Sequence, residues 1–162
     1  MLNAAIQDAM NKQVNAELYS GYLYLAMAAD FEEASLRGMA HWMQIQAKEE
    51  TTHALKFFKY ITDRSGRVTL AAIAAPPAKW DSPQAIFEQV YAHECEVTSL
   101  INKLVELAAA EKDHASGVFL QWFVNEQVEE EAHASEILHQ IKTIGDSKQG
   151  LFMLDRHLAQ RQ

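Results

Sequence analysis

Residues 46–53 read Gln-Ala-Lys-Glu-Glu-Thr-Thr-His, and residues 126–133 read Glu-Gln-Val-Glu-Glu-Glu-Ala-His. Each stretch carries a Glu-x-x-His step, Glu50 to His53 and Glu130 to His133, and three residues along a helix bring two side chains onto one face. Around the first, residues recur at alternating steps of four and three: Met39, Met43, Gln46, Glu50, His53, Phe57, Tyr60. Around the second, the same rhythm runs Phe119, Phe123, Gln127, Glu130, His133, Ile137, with Ile141 and Ile144 beyond. That rhythm belongs to helices sharing a bundle core. Two more seams have it, Met10, Val14, Glu17, Gly21, Tyr24, Ala28, Phe31 and Phe87, Val90, Glu94, Val97, Ile101, Leu104, Ala108.

Four long amphipathic helices are therefore expected, over about residues 3–33, 37–64, 83–111 and 116–145, with a short fifth over 147–160 where Leu151, Leu154 and Leu158 follow Gly150. Short links between helices one and two and between three and four make each pair antiparallel neighbours. Ser65-Gly66, Pro76-Pro77 and Ser82-Pro83 break any helix between the second and third. That stretch is long enough to cross the bundle, so one long crossover is expected. Asp81 or Ser82 is placed to cap helix three, with Pro83 as its first residue. At 162 residues, with 3 Pro and 6 Gly, the chain is read as one all-α domain spanning 1–162.

Each seam is interrupted near its middle by a carboxylate: Glu17, Glu50, Glu94 and Glu130. A lone ionised Glu in an apolar core costs several kcal/mol, and four at one level require a counter-charge. No Lys or Arg lies on any seam. A metal ion supplies that charge, and carboxylates with imidazole suit Fe(II), Mn(II) or Zn(II). The order Glu, Glu-x-x-His, Glu, Glu-x-x-His, with steps of 33 and 36 residues between paired glutamates, is a twofold internal repeat.

These residues resemble the non-haem bacterial ferritins over essentially the whole chain. The similarity is carried by NAELYSGYLYLAMA around Glu17, QAKEETTH around Glu50, YAHE ending at Glu94 and FLQWFVNEQVEEE around Glu130. The resemblance implies a ferritin-like four-helix bundle with a di-iron ferroxidase centre. Glu17, Glu50 and His53 would hold one iron and Glu50, Glu94 and Glu130 the other, with Glu50 bridging. It also implies roles for Tyr24, Trp122 and Gln127 beside the centre, Gln127 being counted with the metal-binding residues. Tyr24, two turns from Glu17, is placed to hydrogen-bond a ligand or lend an electron. A third iron site would fall on Glu49, Glu126 and Glu129 beside Glu130. His133 stands where bacterioferritins have a second histidine ligand and is a further candidate. Thr51 stands where their haem-ligating methionine would be, so no haem is expected. The implied function is iron storage and detoxification, with Fe(II) oxidised to Fe(III) by O2 or H2O2 and mineralised inside a homo-oligomeric cage of 24 chains. The competing readings are a bacterioferritin-like or rubrerythrin-like di-iron oxidase or peroxidase and a DNA-protecting mini-ferritin.

The formal charge of -8, from 14 Lys+Arg against 22 Asp+Glu, speaks against nucleic acid as a partner. Seven of those acids, Glu17, Glu49, Glu50, Glu94, Glu126, Glu129 and Glu130, are the ones assigned to metal. One cysteine, Cys95, makes no internal disulfide, and the charged N-terminal stretch is unlike a signal peptide, so a cytoplasmic location is expected. No run is apolar enough to span a membrane. Met10, Met27, Met39 and Met43 read as core fillers. His41, His93, His114, His139 and His157 read as solvent or interface residues.

Overall fold

A computed structural model describes residues 2–162. Five helices follow one another, α1 Ala4–Glu33, α2 Arg37–Asp63, α3 Pro83–Ala110, α4 His114–Ile144 and α5 Lys148–Leu158, with no strand among the described residues. α1 packs along α2 and α3 along α4, while α1 also meets α3 and α5 docks on α2 and α4. α2 and α4 face each other through side chains, Phe57 stacking on Phe123 at 4.2 Å between ring centroids.

α1, α2 and α3 stop by a shared device. Ser35, Ser65 and Lys112 have left-handed φ of 59°, 56° and 55°, and the next amide returns to a carbonyl five residues back, as in Leu36 N to Phe31 O and Asp113 N to Ala108 O, each 2.9 Å. This satisfies carbonyls left over by the last turn, and after α1 and α3 it lets the next helix begin within three residues. Ser82 caps α3 by accepting from Ala85 N at 3.1 Å, with Pro83 first in the helix. α4 starts at His114 rather than 116, because Asp113 accepts from Ser116 N and so becomes the cap.

The crossover between α2 and α3 is irregular and is tied to α1 by three amides spaced four residues apart. Gln7 Oε1 accepts from Arg67 N, Asn11 accepts from Thr69 N and donates to Arg67 O, and Asn15 donates to Ala72 O. At the other end, α5 sits so close to the start of α2 that a Cβ on Gly38 would lie 1.7 Å from Asp155 O. Asp155 Oδ1 accepts from Met39 N at 2.9 Å, so α5 caps the beginning of α2 in trans.

The apolar core has two parts. One holds Leu23, Met27, Phe31, Met39, Met43 and Phe87 with Leu154 and Leu158 of α5, and the other holds Ile6, Met10, Phe57, Ile61, Ile101 and Phe123. Met10, Met27, Met39 and Met43 are fully buried fillers. Between the two parts lies a buried polar layer, Gln13, Glu17, Gln46, Glu50, His53, Glu94, Gln127 and Glu130.

The seams drift from the expected register only away from this layer. α2 buries Ile61 and leaves Tyr60 half-buried; α4 buries Leu120 and leaves Phe119 half-buried. Beyond Glu130 the buried stripe of α4 steps by four to Ala134, which turns His133 out to solvent.

Candidate metal centre

The four glutamates come one from each long helix, and all are nearly fully buried. Among the described residues none of them pairs with a lysine or arginine. Glu17 Oε1 accepts from Gln13 Nε2 at 2.8 Å, whereas Glu17 Oε2 is buried with no hydrogen-bond partner. Glu50 faces His53, its Oε2 lying 3.6 Å from Nδ1 one turn along α2. The other ring nitrogen, Nε2, lies 3.7 Å from Glu126 Oε1 on α4.

Glu94 is held on both oxygens. Tyr24 donates its hydroxyl to Oε1 across the bundle, and Gln127 Nε2 lies 3.1 Å from Oε2. Glu130 Oε2 accepts from Gln46 Nε2 at 2.7 Å, and that amide nitrogen also reaches Glu50 Oε1 at 3.4 Å.

Two sets of three ligand atoms fall within 4.8 Å of one another: Glu17, Glu50 and His53, and His53, Glu126 and Glu130. Glu94 joins neither set, and its two oxygens are engaged by Tyr24 and Gln127. Glu49 and Glu129 join neither as well. Glu49 turns to Arg161, with Oε2 2.5 Å from Nη2, and Glu129 is exposed. His133 is exposed and lines a surface cleft with Trp42, Glu136 and Arg161.

Electrostatics make this layer cation-seeking. Burial, followed by the facing Glu50, pushes Glu17 well above the usual carboxylate range. Burial and the charge of Glu94 do the same to Glu50. Burial raises Glu94 against the lowering effect of its Tyr24 and Gln127 bonds. Burial, then Glu94, lifts Glu130 to about 7. Tyr24 is raised by burial and by Glu94, so its hydroxyl stays a donor. Without cations, protons must carry the compensating charge. Hard oxygen donors with one imidazole, their near-complete burial and an orphaned oxygen on Glu17 all fit divalent iron.

The aromatic surround is closely packed. His53 lies edge-on to Trp122 at 5.4 Å and to Phe123 at 6.0 Å, and Lys56 Nζ covers the Trp122 ring at 3.3 Å. His93, expected at solvent or an interface, is instead partly buried: its Nε2 lies 2.8 Å from Ser20 Oγ, and its ring is edge-on to Tyr19 and Tyr24. The small Ser20 leaves space there for an imidazole on the turn that carries Glu94.

A sequence profile of the ferritin-like domain matches residues 7–144. A bacterial non-heme ferritin of Bacteroides fragilis is 44% identical over 161 residues, covering 99% of this chain and 100% of that protein. The chain belongs to the non-haem ferritin family. Another bacterial non-heme ferritin, from Staphylococcus saprophyticus, is 40% identical over 99% of this chain and 96% of its own length. Among solved ferritins, a novel open pore ferritin from the hyperthermophilic archaeon Archaeoglobus fulgidus superposes with a TM-score of 0.99 at 49% identity, over 100% of both chains.

Three residues that bear on the centre of this ferritin were not singled out as site residues from sequence. Gln46 lies on the α2 seam, and its polarity among buried neighbours was the available signal. Gln13 sits one turn before Glu17, a spacing that allows a side-chain bond but does not require one. Arg161 follows α5, and only the docking of that helix brings it near α2. No helix among the described residues is long and apolar enough to cross a membrane.

Proposed function

We propose that this ferritin is a ferroxidase that stores iron: it binds Fe(II) as substrate within each chain, oxidises it and passes the Fe(III) to a mineral inside a cage of 24 chains. The observation that carries this reading is the buried layer of Glu17, Glu50, Glu94 and Glu130 with no basic partner and with Glu17 Oε2 left without a donor.

By family resemblance, one Fe(II) takes Glu17, Glu50 and His53 and the other takes Glu50, Glu94 and Glu130, Glu50 being shared. The closeness of Glu17, Glu50 and His53 supports the first assignment. For the second, Glu94 must exchange part of its bonding to Tyr24 and Gln127 for the metal. Tyr24 then remains beside the substrate, close enough to hydrogen-bond a ligand or supply an electron. Glu126, near His53 and Glu130, belongs to a third, outer position with Glu49 and Glu129. His133 faces solvent and has no part in this scheme.

The reaction balances simply. Two Fe(II) ions give up one electron each, and O2 takes both electrons and two protons to leave as H2O2; H2O2 itself, as oxidant, takes two electrons and two protons to give water. Burial raises the pKa values of these carboxylates, that of Glu130 to about 7, and cation binding favours their ionised forms, so loading is coupled to proton release. The protein excludes bulk water from the ions, fixes their separation and supplies ligands that shift between terminal and shared binding.

The test is the rate of Fe(II) oxidation at two equivalents per chain, followed by the appearance of Fe(III) absorbance. Glu50→Ala and Glu130→Ala should each slow it by roughly 10–100-fold, and unchanged rates would show that the centre lies elsewhere.

A further inference from the structure

After α5 the chain turns back onto α2. The backbone oxygen of Arg161 lies 2.9 Å from His41 Nε2, and its guanidinium carbon sits 4.4 Å over the Trp42 ring. One arm of the fork, Nη1, donates to Gln46 Oε1 at 2.6 Å, and the other, Nη2, donates to Glu49 Oε2 at 2.5 Å. Trp42, Gln46 and Glu49 follow one another along α2 at steps of four and three, so a single arginine lies along that face. Its side chain is 19% exposed, against 40% for Glu49.

Two consequences follow from the chemistry of the fork. A guanidinium only donates, so Gln46 must turn its oxygen to Arg161 and its amide nitrogen inward, where it meets Glu130 and Glu50. Meanwhile Glu49 has its charge balanced inside the protein. It stands apart from the ligand group formed by His53, Glu126 and Glu130.

We propose that Arg161 is an internal competitor for a third iron: its guanidinium occupies Glu49 in the unloaded chain, and a third Fe(II) acquires that ligand only when Arg161 lets go. Filling is thereby ordered. The inner pair loads while Arg161 still holds Glu49, whereas the outer ion must displace a cation of the protein and loosen the turn after α5. This inference rests on the reading of Glu17, Glu50, His53, Glu94 and Glu130 as the inner pair of sites.

The experiment is calorimetric titration of the metal-free, full-length protein with Zn(II), which binds the same donors without redox chemistry. Wild type should show two tight ions per chain and a third, weaker one. Arg161→Gln should tighten the third by roughly tenfold, the scale of a few-fold to hundredfold coupling between sites. Arg161→Lys, which keeps the charge but loses the two-armed grip, should fall between them. Circular dichroism and the two inner ions report that each variant is folded. A third ion bound equally or more weakly by Arg161→Gln, with two tight inner ions retained, would overturn this inference alone; fewer than two tight ions in wild type would overturn the di-iron reading and this inference with it.

Discussion

Gln46 Nε2 lies 2.7 Å from Glu130 Oε2 and joins α2 to α4 through the centre of the bundle. This bond lowers the pKa of Glu130, yet burial and the nearby Glu94 still lift it to about 7. One neutral amide does not compensate a carboxylate that the fold has taken out of water.

The metal-free protein is therefore expected to lose stability as pH rises from acid to neutral. Between an ordinary glutamate value near 4.5 and about 7, folded Glu130 keeps a proton that the unfolded chain has lost. The folded state binds more protons in that window, so stability falls as pH rises through it, by about 3 kcal/mol from this group. Glu17, Glu50 and Glu94 are shifted the same way and add to the slope. Urea denaturation with a chelator present should give a higher midpoint at about pH 5 than at about pH 7.5, and saturating Zn(II) should remove the difference. A flat profile would contradict the burial of unpaired acids.

Glu17→Gln should separate stability from function. The amide is neutral at every pH, so at neutral pH folding no longer requires the proton uptake that burial imposes on Glu17, and the metal-free chain should gain about 1–2 kcal/mol. The same change removes a charged ligand and should weaken inner-site binding by at least roughly tenfold. Denaturation and metal titration on one preparation check both directions, and a loss of stability would show that Glu17 is already well compensated.

The sequence was most legible where burial conflicts with charge. Glu17, Glu50, Glu94 and Glu130 stand out because each interrupts an apolar seam, and the turn-forming pairs at Ser65-Gly66 and Ser82-Pro83 marked the crossover. His133 was harder to place. It repeats the spacing of His53 from Glu50, but 3.6 residues per turn lets a buried stripe advance by either three or four, and α4 advances by four to Ala134. His93 and Arg161 were not legible because their surroundings come from other helices: the gap beside Ser20 for one, and the docking of α5 at Gly38 for the other.

His133→Leu follows from that register. The side chain is exposed and belongs to neither ligand group, so Fe(II) oxidation by this variant should stay within about twofold of wild type. A tenfold loss in the same absorbance assay would place His133 at the metal.

Gly38→Ala should disturb α5 rather than the inner ligands. The added methyl would meet Asp155 O at 1.7 Å, a clash that only a shift of α5 relieves, at a cost of about 1–3 kcal/mol. The melting temperature should drop, and the third Zn(II) should bind more tightly as Arg161 moves with α5. A variant with wild-type melting and third-ion affinity would contradict the described seating of α5 on α2.

Iron loading of the wild-type protein tests storage itself. Fe(II) is added anaerobically to the metal-free protein in excess over three per chain, air is admitted, and iron per chain is measured across a size-exclusion column. Fe(III) should be found well above three per chain, co-eluting with a particle the size of a 24-chain shell. Retention of only two or three irons by a small oligomer would contradict iron storage.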